Sequence, residues 1–144
     1  MARGYPDYGM SPVLPFAKVF ATQDALVTSV PHSSYKEIYN ITAKGIIESG
    51  YLTIDGSVLP YQVWLNLYID GIQMSPQILY NLMAHRITAE TTWPYYLTHY
   101  DDKGYYYVIS FREGRSFGAS WVFAVTNNDV ANLSVSGQIH YSHI

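Results

Sequence analysis

The sequence predicts a mainly β fold: an antiparallel β-sandwich, jelly-roll-like, with an extended N-terminal arm and one short helix near residues 76–85. Three observations predict it. Tyr61–Ile69 and Leu133–Tyr141 alternate in side-chain character at the two-residue period of strands with one buried face. Candidate strands recur at roughly 8–12-residue intervals between Gly, Asp and Asn turn signals. Alternation of strands with helices, which would build a parallel sheet, is missing.

Residues 1–17 read as an extended arm. Pro6, Pro12 and Pro15 block regular pairing there. Tyr5, Tyr8, Leu14 and Phe16 are apolar and have no local core, so they are the candidate contacts of an arm that lies on its own domain or on a neighbouring subunit. Residues 18–144 form the single sandwich domain. Val19–Ala21 and Ala25–Val30 are candidate strands, with Pro31 closing the second. From Tyr35 to Thr42 the alternation places Tyr35, Glu37, Tyr39 and Ile41 on one face. Gly45–Ile54 follows, with a bulge expected at Gly50, and Asp55-Gly56 turns the chain.

Tyr61–Ile69 puts Val63, Leu65, Leu67 and Ile69 on one face and Trp64 and Tyr68 on the other. Asp70-Gly71 is a two-residue hairpin signal leading into Ile72–Met74. Ser75-Pro76 has the form of an N-cap with proline at the first helical position, and Ile78, Leu79, Leu82 and Met83 make one helical stripe. Ile78, Tyr80 and Leu82 also alternate, so a strand is the competing reading. Tyr95–Tyr100 and Tyr105–Phe111 form a hairpin around Asp101–Gly104, and Phe117–Thr126 is a further strand. After the polar turn Asn127–Asp129, the last strand sends Leu133, Val135, Ile139 and Tyr141 one way, with Gly137 in their row.

Composition narrows function. Charged residues are 13% of the 144, while fifteen Tyr, three Trp and five Phe supply rings suited to strands and interfaces. Such a weakly charged surface suits packing against neighbours. The net charge of −3, with eight scattered basic residues, disfavours nucleic acid and anionic membrane as partners. Absent cysteine excludes disulfides and thiolate metal sites. No apolar run reaches the length of a membrane helix and none resembles a leader peptide, so a protein made in the cytoplasm is expected.

Catalytic chemistry finds no constellation, and neither enzyme activity, metal nor cofactor is expected. No serine occupies a Gly-x-Ser-x-Gly elbow and no His-x-x-x-His spacing occurs. His32, His85 and His99 read as surface or capping residues, and His140 and His143, three apart on a strand, should face opposite sides. Glu48, Glu90, Glu113, Asp101 and Asp102 are the carboxylates available for a hydrolytic pair, and Asp101-Asp102 is explained by its turn. The remaining candidates are aromatic: Trp64, Tyr68, Trp93, Tyr95 and Tyr106 suit either a subunit interface or a stacking platform for a glycan.

The arm of residues 1–17, the segment Tyr39–Gly45 and Leu67-Tyr68-Ile69-Asp70-Gly71 share a style of strand, Gly-containing turn and Tyr-rich strand. In that style the chain resembles small virion structural proteins of tailed bacteriophages and related viruses, including capsid decoration, head–tail and tail proteins. The resemblance implies a non-enzymatic protein of the virion, acting through contacts with its own copies and with neighbouring structural proteins. A carbohydrate-binding module or receptor-binding tip is the alternative expectation.

Overall fold

A computed structural model describes residues 19–56, 58–84, 93–101 and 106–144. The expected arm, with Tyr5, Tyr8, Leu14 and Phe16, lies outside the described residues. The strands are β1 (Val19–Val30), β2 (Ser34–Thr42), β3 (Gly45–Asp55), β4 (Val63–Ile69), β5 (Ile72–Gln73), β6 (Gln77–Ile78), β7 (Tyr95–Asp101), β8 (Tyr106–Phe111), β9 (Ser116–Phe117), β10 (Ser120–Asn127) and β11 (Leu133–His143). One short helix, α1 (Leu79–Ala84), follows β6.

They form two antiparallel sheets. The six-stranded sheet runs β1-β11-β3-β8-β7, with β9 also on β3, and the five-stranded sheet runs β2-β10-β4-β5, with β6 also on β4. β1 to β4 alternate between the sheets, β7 and β8 form a hairpin within the six-stranded one, and the pairings nest, β1 with β11, β2 with β10 and β3 with β8. That is the wound double hairpin of a jelly roll.

Alternation makes the core. Leu65 and Leu67 of β4, Phe123 and Val125 of β10, and Leu133, Val135 and Ile139 of β11 are all buried. Rings fill the space between sheets. Phe111 of β8 meets Trp121 and Phe123 of β10 edge-on, at centroid distances of 5.2 and 4.8 Å, and Tyr39 of β2 at 5.8 Å. Edge-to-face pairs contribute about 0.5–1.5 kcal/mol each beyond area burial. The Tyr39 hydroxyl crosses to the opposite sheet and donates to the Tyr51 carbonyl at 2.7 Å. A Cβ on Gly137 would stand 2.6 Å from that hydroxyl and closer still to the Tyr51 carbonyl oxygen, so only glycine fits there.

Two aspartates tie the loops. At the β4–β5 hairpin Asp70 and Gly71 both take positive φ, 55° and 79°, the backbone of a type I′ turn. The Asp70 carboxylate accepts backbone N–H groups from Gly118, Ala119 and Ser120, where the chain crosses from β9 to β10. Those three bonds hold its pKa below the usual carboxylate range. Asn127, fully buried, donates to the carbonyls of Val30 and Ala131 and accepts from the Asp129 amide. Asp129 in turn accepts from the amides of Leu59 and Ala131, which lowers its pKa.

Several local expectations shift. Val19–Val30 is one strand with an irregularity between Ala25 and Thr28, because β11 pairs with both halves. The bulge expected at Gly50 falls at Glu48, between the pairs Ile47–Tyr141 and Ser49–His140. Gly50 instead faces Ile139, whose Cδ1 would lie 2.7 Å from an added Cβ. In β2 a register shift at Ile38 reverses the rhythm, so Tyr39 and Ile41 point inward while Tyr35 and Glu37 face solvent. The helix begins at Leu79 rather than 76, because Gln77 and Ile78 pair with Leu65 and Trp64 of β4. Tyr61 belongs to a 3-10 turn, Pro60–Gln62, ahead of β4. The strand expected over Phe117–Thr126 is broken at Gly118-Ala119, where the chain changes sheets.

Candidate functional site

Two surfaces stand out, both set by how the sheets end or face outward. The first is the outer face of the five-stranded sheet. Trp64, Asn66 and Tyr68 alternate with the buried residues of β4 and so project from this face. Across β10 they neighbour Thr126, Ala124 and Val122, and beyond these lies β2 with Tyr35 and Glu37. Ala124 is completely buried although it lies on the outer side. Tyr35 of β2 and Tyr68 of β4 flank this stretch of β10, and desolvation, then the neighbouring Tyr68 hydroxyl, raise the Tyr35 pKa. Asn66 is fixed by donating to Thr126 Oγ1 at 3.2 Å and accepting from Gln73 Nε2 at 3.3 Å. The result is an outward-facing patch of two tyrosines and Trp64, with Trp64 38% exposed.

The other aromatic candidates do not join it. Tyr95 is fully buried, edge-on to Phe123 at 5.4 Å and to Trp93 at 6.1 Å. It belongs to the core rather than to a surface platform, because β7 turns this position inward. Burial pushes its hydroxyl pKa up to about 12, with the Trp93 side chain pulling the other way. Trp93 is half-buried against the same core. Tyr106 lies on the six-stranded sheet, 5.9 Å from the His99 ring.

The second surface is the edge of the six-stranded sheet. β1 pairs with β11 on one side only, and among the described residues no strand lies on the other. Val19, Phe20 and Leu26 are exposed on it, Phe20 by 74% and Leu26 by 76%. Its charged residue, Asp24, accepts from Gln138 Nε2 at 2.7 Å. The neighbouring edge, β2, is partly closed: Gln23 of β1 reaches across the opening and bonds both the carbonyl and the amide of Asn40. Sequence reasoning could place β1 as a strand but not at an edge, since sheet order is set by partners more than a hundred residues away.

The titratable groups are dispersed. His140 lies beside Thr22 Oγ1 at 3.0 Å, while His143 turns to the opposite side, its ring 5.7 Å from Tyr141. His32 Nδ1 lies 2.6 Å from the Asp129 carbonyl oxygen. His85 and Glu90 fall outside the described residues. Glu48 and Glu113, two of the five carboxylates available for a pair, line one hollow on the outer side of the six-stranded sheet. Among the described residues no three His, Asp or Glu side chains converge as a metal-ligand set, and no helix is long and apolar enough to cross a membrane. No family model and no curated protein matches the chain.

Proposed function

We propose that this chain is a non-enzymatic structural protein that works by assembling with its own copies and with neighbouring structural proteins, as a capsid decoration, head–tail or tail component of a virion does. The β1 edge carries this reading. A row of unpaired backbone amides and carbonyls is a template for another extended strand, and proteins that stay monomeric guard such rows with charged side chains, proline, bulges or a covering loop. Val19–Gln23 contains no charged residue and no proline, lies ahead of the irregularity at Ala25–Thr28, and exposes Phe20. Tyr35, Tyr68 and Trp64 give a second contact face of the composition found at the centres of interfaces.

Native mass spectrometry and light scattering of the full chain test the proposal. A homo-oligomer is expected, converted to monomer by Phe20→Lys, which adds a charge at an exposed position and leaves the core untouched. Deletion of residues 1–17 should also abolish assembly while leaving the β circular dichroism spectrum intact. A wild-type chain that stays monomeric at every concentration, with and without the arm, would sink the proposal.

A further inference from the structure

We propose that the outer face of the six-stranded sheet carries a binding groove for a neutral oligosaccharide, centred on Glu48. This site shares Phe20 with the β1 edge but is built mainly from β3, β8 and β11, and it lies on the opposite sheet from the Trp64–Tyr68 platform that the sequence suggested for a glycan.

Two hollows of about 270 and about 290 Å³ share Glu48 as a common wall. The first lies over β1 and β11, beside Phe20, Thr22 and His140. The second lies over β3, β8 and β7, beside Ser110, Tyr96 and Glu113. Each falls just below the range of about 300–1,000 Å³ typical of ligand pockets, which suits one sugar ring apiece.

The β3 bulge builds this arrangement. Ile47 points inward opposite Tyr141, and Ser49 points outward opposite His140, so the inserted Glu48 and its successor share the outer face. The Ser142 hydroxyl donates to Glu48 Oε2 at 2.6 Å and fixes the carboxylate over the sheet. Thr22 and His140 hold one another in the same way, at 3.0 Å. These groups are positioned before any ligand arrives, so little ordering cost remains.

The wall chemistry selects the ligand. Carboxylates accept paired hydrogen bonds, and vicinal sugar hydroxyls donate them. Phe20 and Tyr96 offer ring surface to the C–H faces of a pyranose, and the Arg112 guanidinium, 5.1 Å over the Tyr96 ring, braces that side chain. Glu48 and Glu113 with no lysine in either wall disfavour an anionic sugar. A protein partner is disfavoured by the hydroxyl and carboxylate walls, since protein hot spots centre on dry apolar or aromatic pockets.

Cellotetraose and maltotetraose titrated into the full-length protein, followed by calorimetry and amide chemical shifts, test the inference, with tetragalacturonic acid as the anionic control. At least one neutral tetrasaccharide is expected to bind, with shifts clustered on β3, β8 and β11. Glu48→Gln and Glu113→Gln should each weaken it at least tenfold, and Trp64→Ala should leave it unchanged. Thermal melts confirm that each variant is folded, and His140→Ala replaces Glu48→Gln if the latter unfolds. Silence from both neutral probes, tighter binding of the anionic control, or loss of binding in Trp64→Ala alone would overturn the site. Such a failure leaves the oligomeric state untouched and so is separable from failure of the assembly proposal.

Discussion

The Tyr39 phenol joins the two sheets by one hydrogen bond to the Tyr51 carbonyl. Tyr39→Phe should cost about 0.5–1.5 kcal/mol, the net worth of such a bond. Gly137→Ala should cost about 1–3 kcal/mol through overpacking. Both are read from urea unfolding. Burial, then the neighbouring Tyr51 and Asp24, raise the Tyr39 pKa, and burial raises that of Tyr95 to about 12. An unfolded tyrosine ionises near pH 10. The native state therefore keeps its protons where the unfolded state sheds them, and stability should fall as pH rises from about 10 toward 12. Tyr39→Phe should flatten that decline in alkaline melts. Asn127→Ala should cost about 1–3 kcal/mol for each carbonyl it leaves buried without a donor, chiefly those of Val30 and Ala131. Gly137 was visible in the sequence as a gap in an apolar row, but its cause, a hydroxyl from the other sheet, was not. Asn127 read only as a turn residue, because its main acceptor lies 97 positions away.

Among the elements, those with long unbroken rhythm were legible and those reshaped by partners were not. β4 and β11 were read from alternation alone, and the Asp70-Gly71 hairpin from its dipeptide. The reversal in β2 escaped, since an inserted residue leaves no signature in a period-two pattern, and Tyr35 was therefore grouped with Tyr39. The same blindness hid the outward turn of Glu48. At 76–85 both readings were partly right. Gln77 and Ile78 take ladder bonds from β4, and the helix starts only when those are spent. The crossing from β9 to β10 depends on a side chain from a distant hairpin. Asp70→Ala should therefore speed amide hydrogen exchange at Gly118, Ala119 and Ser120 while leaving exchange in β11 unchanged.

Across the whole molecule, strand spacing and turn dipeptides sufficed for the sandwich, since each long strand buries one face against the other sheet. The surfaces that would meet partners depended on sheet order, which local sequence does not encode. Asp70 and Asp129 are both held ionised by backbone donors, with pKa values below the ordinary carboxylate value of about 3.9. Their contribution is complete above that pH and is lost as pH falls through the lowered folded values. Melting temperature should drop in that acid window, and less steeply in Asp129→Asn, whose neutral side chain has no proton to take up. The nesting of the first strand on the last has a mechanical corollary. Val19 lies opposite His143, so the start of β1 and the end of β11 sit side by side. Tension applied between those two ends would peel β1 from β11 one hydrogen-bonded pair at a time instead of shearing all of them together. In an optical trap the domain should open at low force, starting from its two ends.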